Sequence, residues 1–130
     1  MSEIANKVAE KLPEQKEILK KSKYGATMRL GGQTVKIKPG TLAYKLYNRE
    51  EVVERFRHRY EINPEYVEAL EKNGFVFSGM TPDNRIMQIG ELPQHPFFIG
   101  SQFHPEFTSR ALKPNPLFNG FTQACIKKTS

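Results

Sequence analysis

This chain is short of several things, and each shortage removes a class of protein. It has a single cysteine, Cys125, among 130 residues. No internal disulfide framework can therefore staple the fold, and a lone thiol suits a reducing cytosol. No apolar run approaches the roughly 20 residues that a membrane-spanning helix needs. The opening Met1-Ser2-Glu3-Ile4 lacks the pattern of a secretory signal. A cytoplasmic location without membrane contact is the expectation. No Cys/His cluster has zinc-ligand spacing, so no structural metal is expected. There is no Gly-x-Ser-x-Gly elbow around Ser101 or Ser109 and no Walker phosphate loop, and the Gly31-Gly32 pair reads as a turn.

What is present supports one folded unit. Apolar residues make up 38% of the chain and include nine Phe and five Tyr, enough for a core at this length. The net charge of +6 could suit nucleic acid or an anionic ligand. Apart from Lys16 to Lys23 and Arg55 to Arg59, however, the basic residues are dispersed, as on a solvated surface. No helix-turn-helix, zinc finger or RNA-binding motif accompanies them, and no nucleic-acid partner is expected.

Read along the chain, Ile4, Val8 and Leu12 follow a helical spacing. Residues 1–23 read as an N-terminal helical or linker segment, and 24–130 as the main unit. Ala26 to Leu30 and Thr34 to Lys38 read as strands on either side of Gly31-Gly32, and Pro39-Gly40 ends the second. Thr41 can cap a short helix through Leu46. Val52 to Tyr60 starts helical in composition and becomes strand-like toward Tyr60. Asn63 and Pro64 open a helix that stops at Asn73-Gly74. Phe75 to Ser78 and Arg85 to Leu92 flank the turn Thr81-Pro82-Asp83-Asn84 as a hairpin. Phe97 to Phe103 is nearly continuous apolar sequence and reads as a central strand buried on both faces. Leu117, Phe118, Phe121, Ala124 and Cys125 follow helical spacing after the Pro114 to Pro116 loop.

Two stretches carry chemistry. In Gln102-Phe103-His104-Pro105-Glu106-Phe107, an imidazole and a carboxylate lie two positions apart around a proline. A turn at the end of a strand can bring His104 and Glu106 to one side, with the acid fixing the tautomer and the other ring nitrogen facing a nucleophile. A base also works best near neutrality, where imidazole titrates. The plainer reading is a hydrogen-bonded surface histidine beside a solvated glutamate; the whole hexapeptide after a buried-type strand shifts the balance toward chemistry. In the second stretch, alternation puts Arg55, Arg57 and Arg59 on one face and Phe56, His58 and Tyr60 on the other. That face is either a solvated basic surface, which spacing alone slightly favours, or a guanidinium site for a substrate carboxylate. Cys125 sits in an amphipathic C-terminal helix and reads as a small core residue, not a nucleophile. His58 and His95 have no carboxylate at ligand spacing and read as structural.

These residues resemble the C-terminal part of the class I glutamine amidotransferase domain of the CTP synthase family. The resemblance runs through Leu12-Pro13-Glu14-Gln15-Lys16, Gly25-Ala26-Thr27-Met28-Arg29-Leu30-Gly31 and Glu54-Arg55-Phe56-Arg57-His58-Arg59-Tyr60-Glu61-Ile62-Asn63. It continues through Ser78-Gly79, His95-Pro96-Phe97-Phe98, Gln102 to Phe107 and Pro116-Leu117-Phe118. Phe56 stands where the family often has His, and Ala26 where it has a second Gly. The resemblance implies an α/β fold: an incomplete, flavodoxin-like amidotransferase sheet flanked by helices, with a β-hairpin. It implies that His104 is the base and Glu106 its orienting acid in a glutaminase triad. Arg59, and more weakly its neighbour Tyr60, would hold glutamine. The nucleophilic Cys elbow of the family, and the synthase domain that uses ATP and Mg to convert UTP to CTP, have no counterpart in these residues. The chain alone is therefore expected to be inactive. Its implied partners are glutamine and the complementary amidotransferase and synthase segments, within a homo-oligomeric complete enzyme. The alternative function is a non-catalytic module that binds a partner.

Overall fold

The computed structural model describes residues 9–11 and 29–129. Its main sheet has five strands, in the order β3 (Glu51–His58), β2 (Arg29–Ile37), β5 (Val76–Met80), β6 (Met87–Glu91) and β7 (Ile99–Ser101), and every pairing is antiparallel. A separate pair joins β1 (Ala9–Lys11) to β4 (Tyr60–Ile62). The helices are α1 (Leu42–Tyr47), α2 (Pro64–Lys72) and α3 (Pro116–Thr129).

The local signals explain most of these boundaries. Thr41 accepts a hydrogen bond from the Tyr44 amide and starts α1, while Asn63 accepts from the Glu65 amide ahead of Pro64 in α2. Gly74, at φ +88°, ends α2 in the left-handed conformation that glycine adopts most easily. The hairpin of β5 and β6 turns through Thr81 to Asn84, where Asp83 accepts the Thr81 hydroxyl and the Arg85 amide. The core lies between the sheet and helices α1 and α3, and contains Val35, Ile37, Ala43, Phe56, Ile89, Phe103 and Leu117. Within it, the buried Glu91 of β6 accepts the Leu42 and Ala43 amides at 2.8 and 3.1 Å, so a strand carboxylate satisfies the start of α1.

Several expectations are corrected. Residues 9–11, placed in a helical or linker segment by sequence, form a strand registered against Tyr60–Ile62; the rest of that segment lies outside the described residues. Gly31-Gly32 is not a turn. One strand runs through both glycines, pairing Arg29 with His58 and Lys36 with Glu51. Gly31 absorbs an irregular φ of +82°, and a Cβ on Gly32 would sit 3.3 Å from Val53. Glu51–His58 is strand throughout, because that long pairing with β2 overrides its helix-favouring composition. The apolar run at Phe97 to Phe103 is not a central strand. Only Ile99–Ser101 forms a strand, at the end of the sheet order, and Phe103 adds a single isolated bridge to Phe56. Its hydrophobicity serves ring contacts outside the sheet, Phe97 with Phe121 and Phe98 with Phe75. Cys125 is exposed and does not pack in the core. The reason is that α3 packs through Leu117 and Gly120, where a Cβ would come within 2.5 Å of Leu46, and so turns Cys125 outward.

Candidate active site

The site is built where β3 meets the segment leaving β7. Phe103 bridges to Phe56, and the His104 amide donates to the Arg55 carbonyl at 2.9 Å. Both rings are buried and meet edge-to-face with centroids 5.6 Å apart. The chain then folds into a 3-10 turn, Pro105–Phe107, closed by the Phe107 amide donating to the His104 carbonyl. Proline fits the first position of such a turn because no amide partner is needed there.

This turn brings Glu106 back onto its neighbour. His104 Nδ1 lies 2.6 Å from Glu106 Oε1. An ionised carboxylate can only accept, so Nδ1 carries a proton, and in the neutral ring the lone pair is then on Nε2. Phe107 stacks on the imidazole at 4.9 Å and 22°. The side chains of His104 and Glu106 are 39% and 54% exposed, so the pair sits at the surface, open to an incoming group. Hydrogen bonding from its own backbone amide, then from His104, holds the Glu106 carboxyl below the usual carboxylate range. Such an imidazole can take a proton at Nε2 while its other nitrogen stays fixed.

The arginine stretch lies alongside. Arg55, Arg57 and Arg59, with Leu30, Gly31, Phe56 and Phe107, line a shallow cavity of about 350 Å³. Three arginines and the phenylalanine that stacks on His104 therefore border one depression, and a guanidinium is the side-chain group that pairs an anionic ligand in bidentate geometry. Alternation holds along β3, where Arg55 and Arg57 are exposed and Phe56 is buried. It breaks after it: Tyr60 is 51% exposed on β4 instead of joining the buried aromatic face, and it does not line the cavity. Tyr60 instead takes part through its carbonyl, which accepts His58 Nδ1–H at 2.8 Å. His95 is exposed and accepts the Phe97 amide, as a structural residue would.

Sequence reasoning missed Glu54. It is buried in β3 and accepts hydrogen bonds from Tyr47, Thr108 and Asn115. The signal was available: Glu54 shares the alternating face of Phe56 and His58, and a carboxylate in an inward phase calls for donors.

The family described as Glutamine amidotransferase class-I matches residues 2–124, and the chain belongs to that family. Within it, CTP synthases are among the similar proteins. The chain is 57% identical over 120 residues to the CTP synthase of Archaeoglobus fulgidus, covering 92% of this chain and 22% of that protein. It is 60% identical over 102 residues to that of Rubrobacter xylanophilus, covering 78% and 18%. Among solved structures, it is similar to the glutaminase domain of Trypanosoma brucei CTPS with bound acivicin, at TM-score 0.74 and 39% identity, covering 79% of this chain and 41% of that one. The chain thus spans about a fifth of the length of these curated relatives.

Proposed function

We propose that this chain supplies the base, its orienting acid and a substrate-holding arginine to a glutamine-hydrolysing CTP synthase, which makes CTP from UTP, ATP and glutamine. The observation that carries the reading is the His104–Glu106 pair. Its Nδ1 is committed to the carboxylate at 2.6 Å beside a depression bordered by three arginines, in a chain with CTP synthases among its relatives.

In this mechanism a cysteine thiol, provided by the remainder of the glutaminase domain, gives its proton to His104 Nε2. Glu106 stabilises the resulting imidazolium. The thiolate attacks the glutamine side-chain amide carbon. Nε2–H then protonates the departing nitrogen, releasing ammonia and leaving a thioester. Water attacks the thioester carbon and gives a proton to Nε2. Cleavage returns glutamate and the thiol. Arg59, with no ion-pair partner among the described residues, is the guanidinium assigned to the glutamine carboxylate. Tyr60 contributes backbone order next to it. Among the described residues no group of three or more His, Cys, Asp or Glu could hold a metal. The reading assigns ATP and Mg to the synthase portion, and no step here passes through them. The partners are glutamine, the complementary segments and further copies of the complete enzyme, in the cytoplasm.

Complementation tests this reading. The purified chain is mixed with the thiol-bearing part of a relative's glutaminase domain, and glutamate release is measured. Activity is expected only in the mixture and is lost with His104→Ala. Ammonia release by this chain alone, or a mixture indifferent to His104, would overturn it.

A second reading, a non-catalytic partner-binding module, draws support from the exposed apolar surface. Leu30, Val53 and Phe107 are 60%, 65% and 42% exposed, and Phe121 and Ile126 of α3 are 56% and 54% exposed. Binding in the mixture without glutamine hydrolysis would favour it.

A further inference from the structure

We propose that Glu54 is a positioning residue that locks the turn bearing His104 and Glu106 to the strand bearing the arginines; this rests on the glutaminase reading of that pair. Glu54 is 3% exposed. Its Oε1 accepts the Tyr47 hydroxyl and Asn115 Nδ2–H, each at 2.7 Å, and its Oε2 accepts the Thr108 hydroxyl at 2.7 Å. Three neutral donors from three separate segments converge on one buried carboxylate. An acceptor-only group is the one side chain that satisfies all of them together.

The placement of these bonds gives the cluster its role. The segment from His104 to Thr108 is held at both ends by consecutive residues of β3. The His104 amide donates to the Arg55 carbonyl, and the Thr108 hydroxyl donates to the Glu54 side chain. Between these two anchors lie His104, Pro105, Glu106 and Phe107. Asn115 extends the lock by also donating to Thr108 Oγ1 at 3.1 Å. Its own Oδ1 accepts the Leu117 amide at 2.9 Å, which fixes the start of α3. Tyr47 ties in the end of α1. Burial and the adjacent Glu54 push the Tyr47 phenol well above its ordinary range, so it stays a donor. Arg55 is the next residue along the strand from Glu54, and Arg57 and Arg59 follow. The separation between base and guanidiniums is therefore set through this side chain together with the Arg55 carbonyl. Misplacement of a catalytic group by about 1 Å can cost about 100-fold in rate.

The test uses the His104 ring as reporter. In the ¹⁵N-histidine-labelled chain, long-range ¹H–¹⁵N spectra show which nitrogen carries the proton. The wild type is expected to show His104 protonated at Nδ1, with that proton shifted far downfield by Glu106. Thr108→Val, which removes the hydroxyl that links the turn to Glu54 together with its contacts to Asn115 and the Pro105 carbonyl, is expected to lose the downfield signal and populate the Nε2–H tautomer. Cooperative unfolding should persist, and Thr108→Ser should restore the signal. Should the valine variant fail to fold, Thr108→Ala carries the same test without the added bulk. A valine or alanine variant with the wild-type signal overturns the positioning role and leaves the glutaminase reading intact. A wild type without protonated Nδ1 overturns both.

Discussion

Replacing Phe56 by alanine tests whether the site rests on the core as described. Phe56 is 2% exposed, packs edge-to-face on Phe103 and contacts His58 with centroids 5.4 Å apart. Removing a fully buried phenylalanine ring costs about 3–5 kcal/mol through lost transfer energy and the cavity left behind. The aromatic pair contributes about 0.5–1.5 kcal/mol of its own beyond area, which places the expected loss in the upper part of that range. Against a domain stability of about 5–15 kcal/mol this is a large fraction. At roughly 3–5 °C per kcal/mol for this chain length, the melting temperature should fall by about 10–20 °C. Urea unfolding followed by circular dichroism gives the energy, and calorimetry gives the melting shift. Val53→Ala, on the same strand at a side chain 65% exposed, is the control and should cost less than about 1 kcal/mol. If the two variants unfold at the same urea concentration, Phe56 does not seat the His104 segment on β3, and the account of how the core supports the site is wrong.

Three further outcomes are expected. Gly79→Ala places a Cβ 2.6 Å from the buried Ile89 side chain and should cost about 1–3 kcal/mol by overpacking, measured by urea unfolding; no change would mean that the irregular pairing at Gly79 yields freely. Tyr47 has its phenol raised above the ordinary value of 10.0, so its stabilising contribution is complete below that pH and is lost as pH rises beyond it. Melting temperatures between about pH 9 and 12 should drop more steeply in wild type than in Tyr47→Phe, and parallel curves would contradict the buried donor role. In the complemented glutaminase, Arg59→Ala should raise the KM for glutamine about 10-fold or more, the scale of one lost charge-assisted pair, with kcat changed far less; a KM equal to wild type would remove Arg59 from substrate holding.

Much of this molecule was legible because its signals are local. Thr41, Asn63-Pro64 and Asn73-Gly74 mark helix ends through hydrogen bonds within a few residues, and each does so in the fold. The His104–Glu106 bond is local in the same sense, closed inside one turn. What sequence reading mistook depends on partners far along the chain. Gly31-Gly32 looks like a turn in isolation, and only the eight-position register with β3 makes it strand. Phe97 to Phe103 has the composition of a buried strand. Its phenylalanines pack on Phe121 of α3, Phe75 just ahead of β5 and Phe56 of β3. Cys125 has the right spacing for a core face, but the close approach at Gly120 decides which face of α3 turns inward.

The same division between local and distant bonds separates two ways in which the site can fail. The imidazole and its acid are two residues apart, so their hydrogen bond closes inside the 3-10 turn, whose far end the Thr108–Glu54 link holds in place. Its distance from the guanidiniums is a different matter. It depends on the Arg55 carbonyl and on a buried carboxylate that joins residues 47, 54, 108 and 115. A change within the turn should therefore alter proton transfer while leaving glutamine binding in place. A change in the distant anchors should move base and substrate relative to each other, and should register first in kcat. In the proposed glutaminase role, an incoming thiol meets an imidazole whose Nδ1 is already held by Glu106. The remaining requirement is geometric, and β3 carries it because Arg55, Arg57 and the two anchors of the turn belong to that strand, with Arg59 following directly on its end.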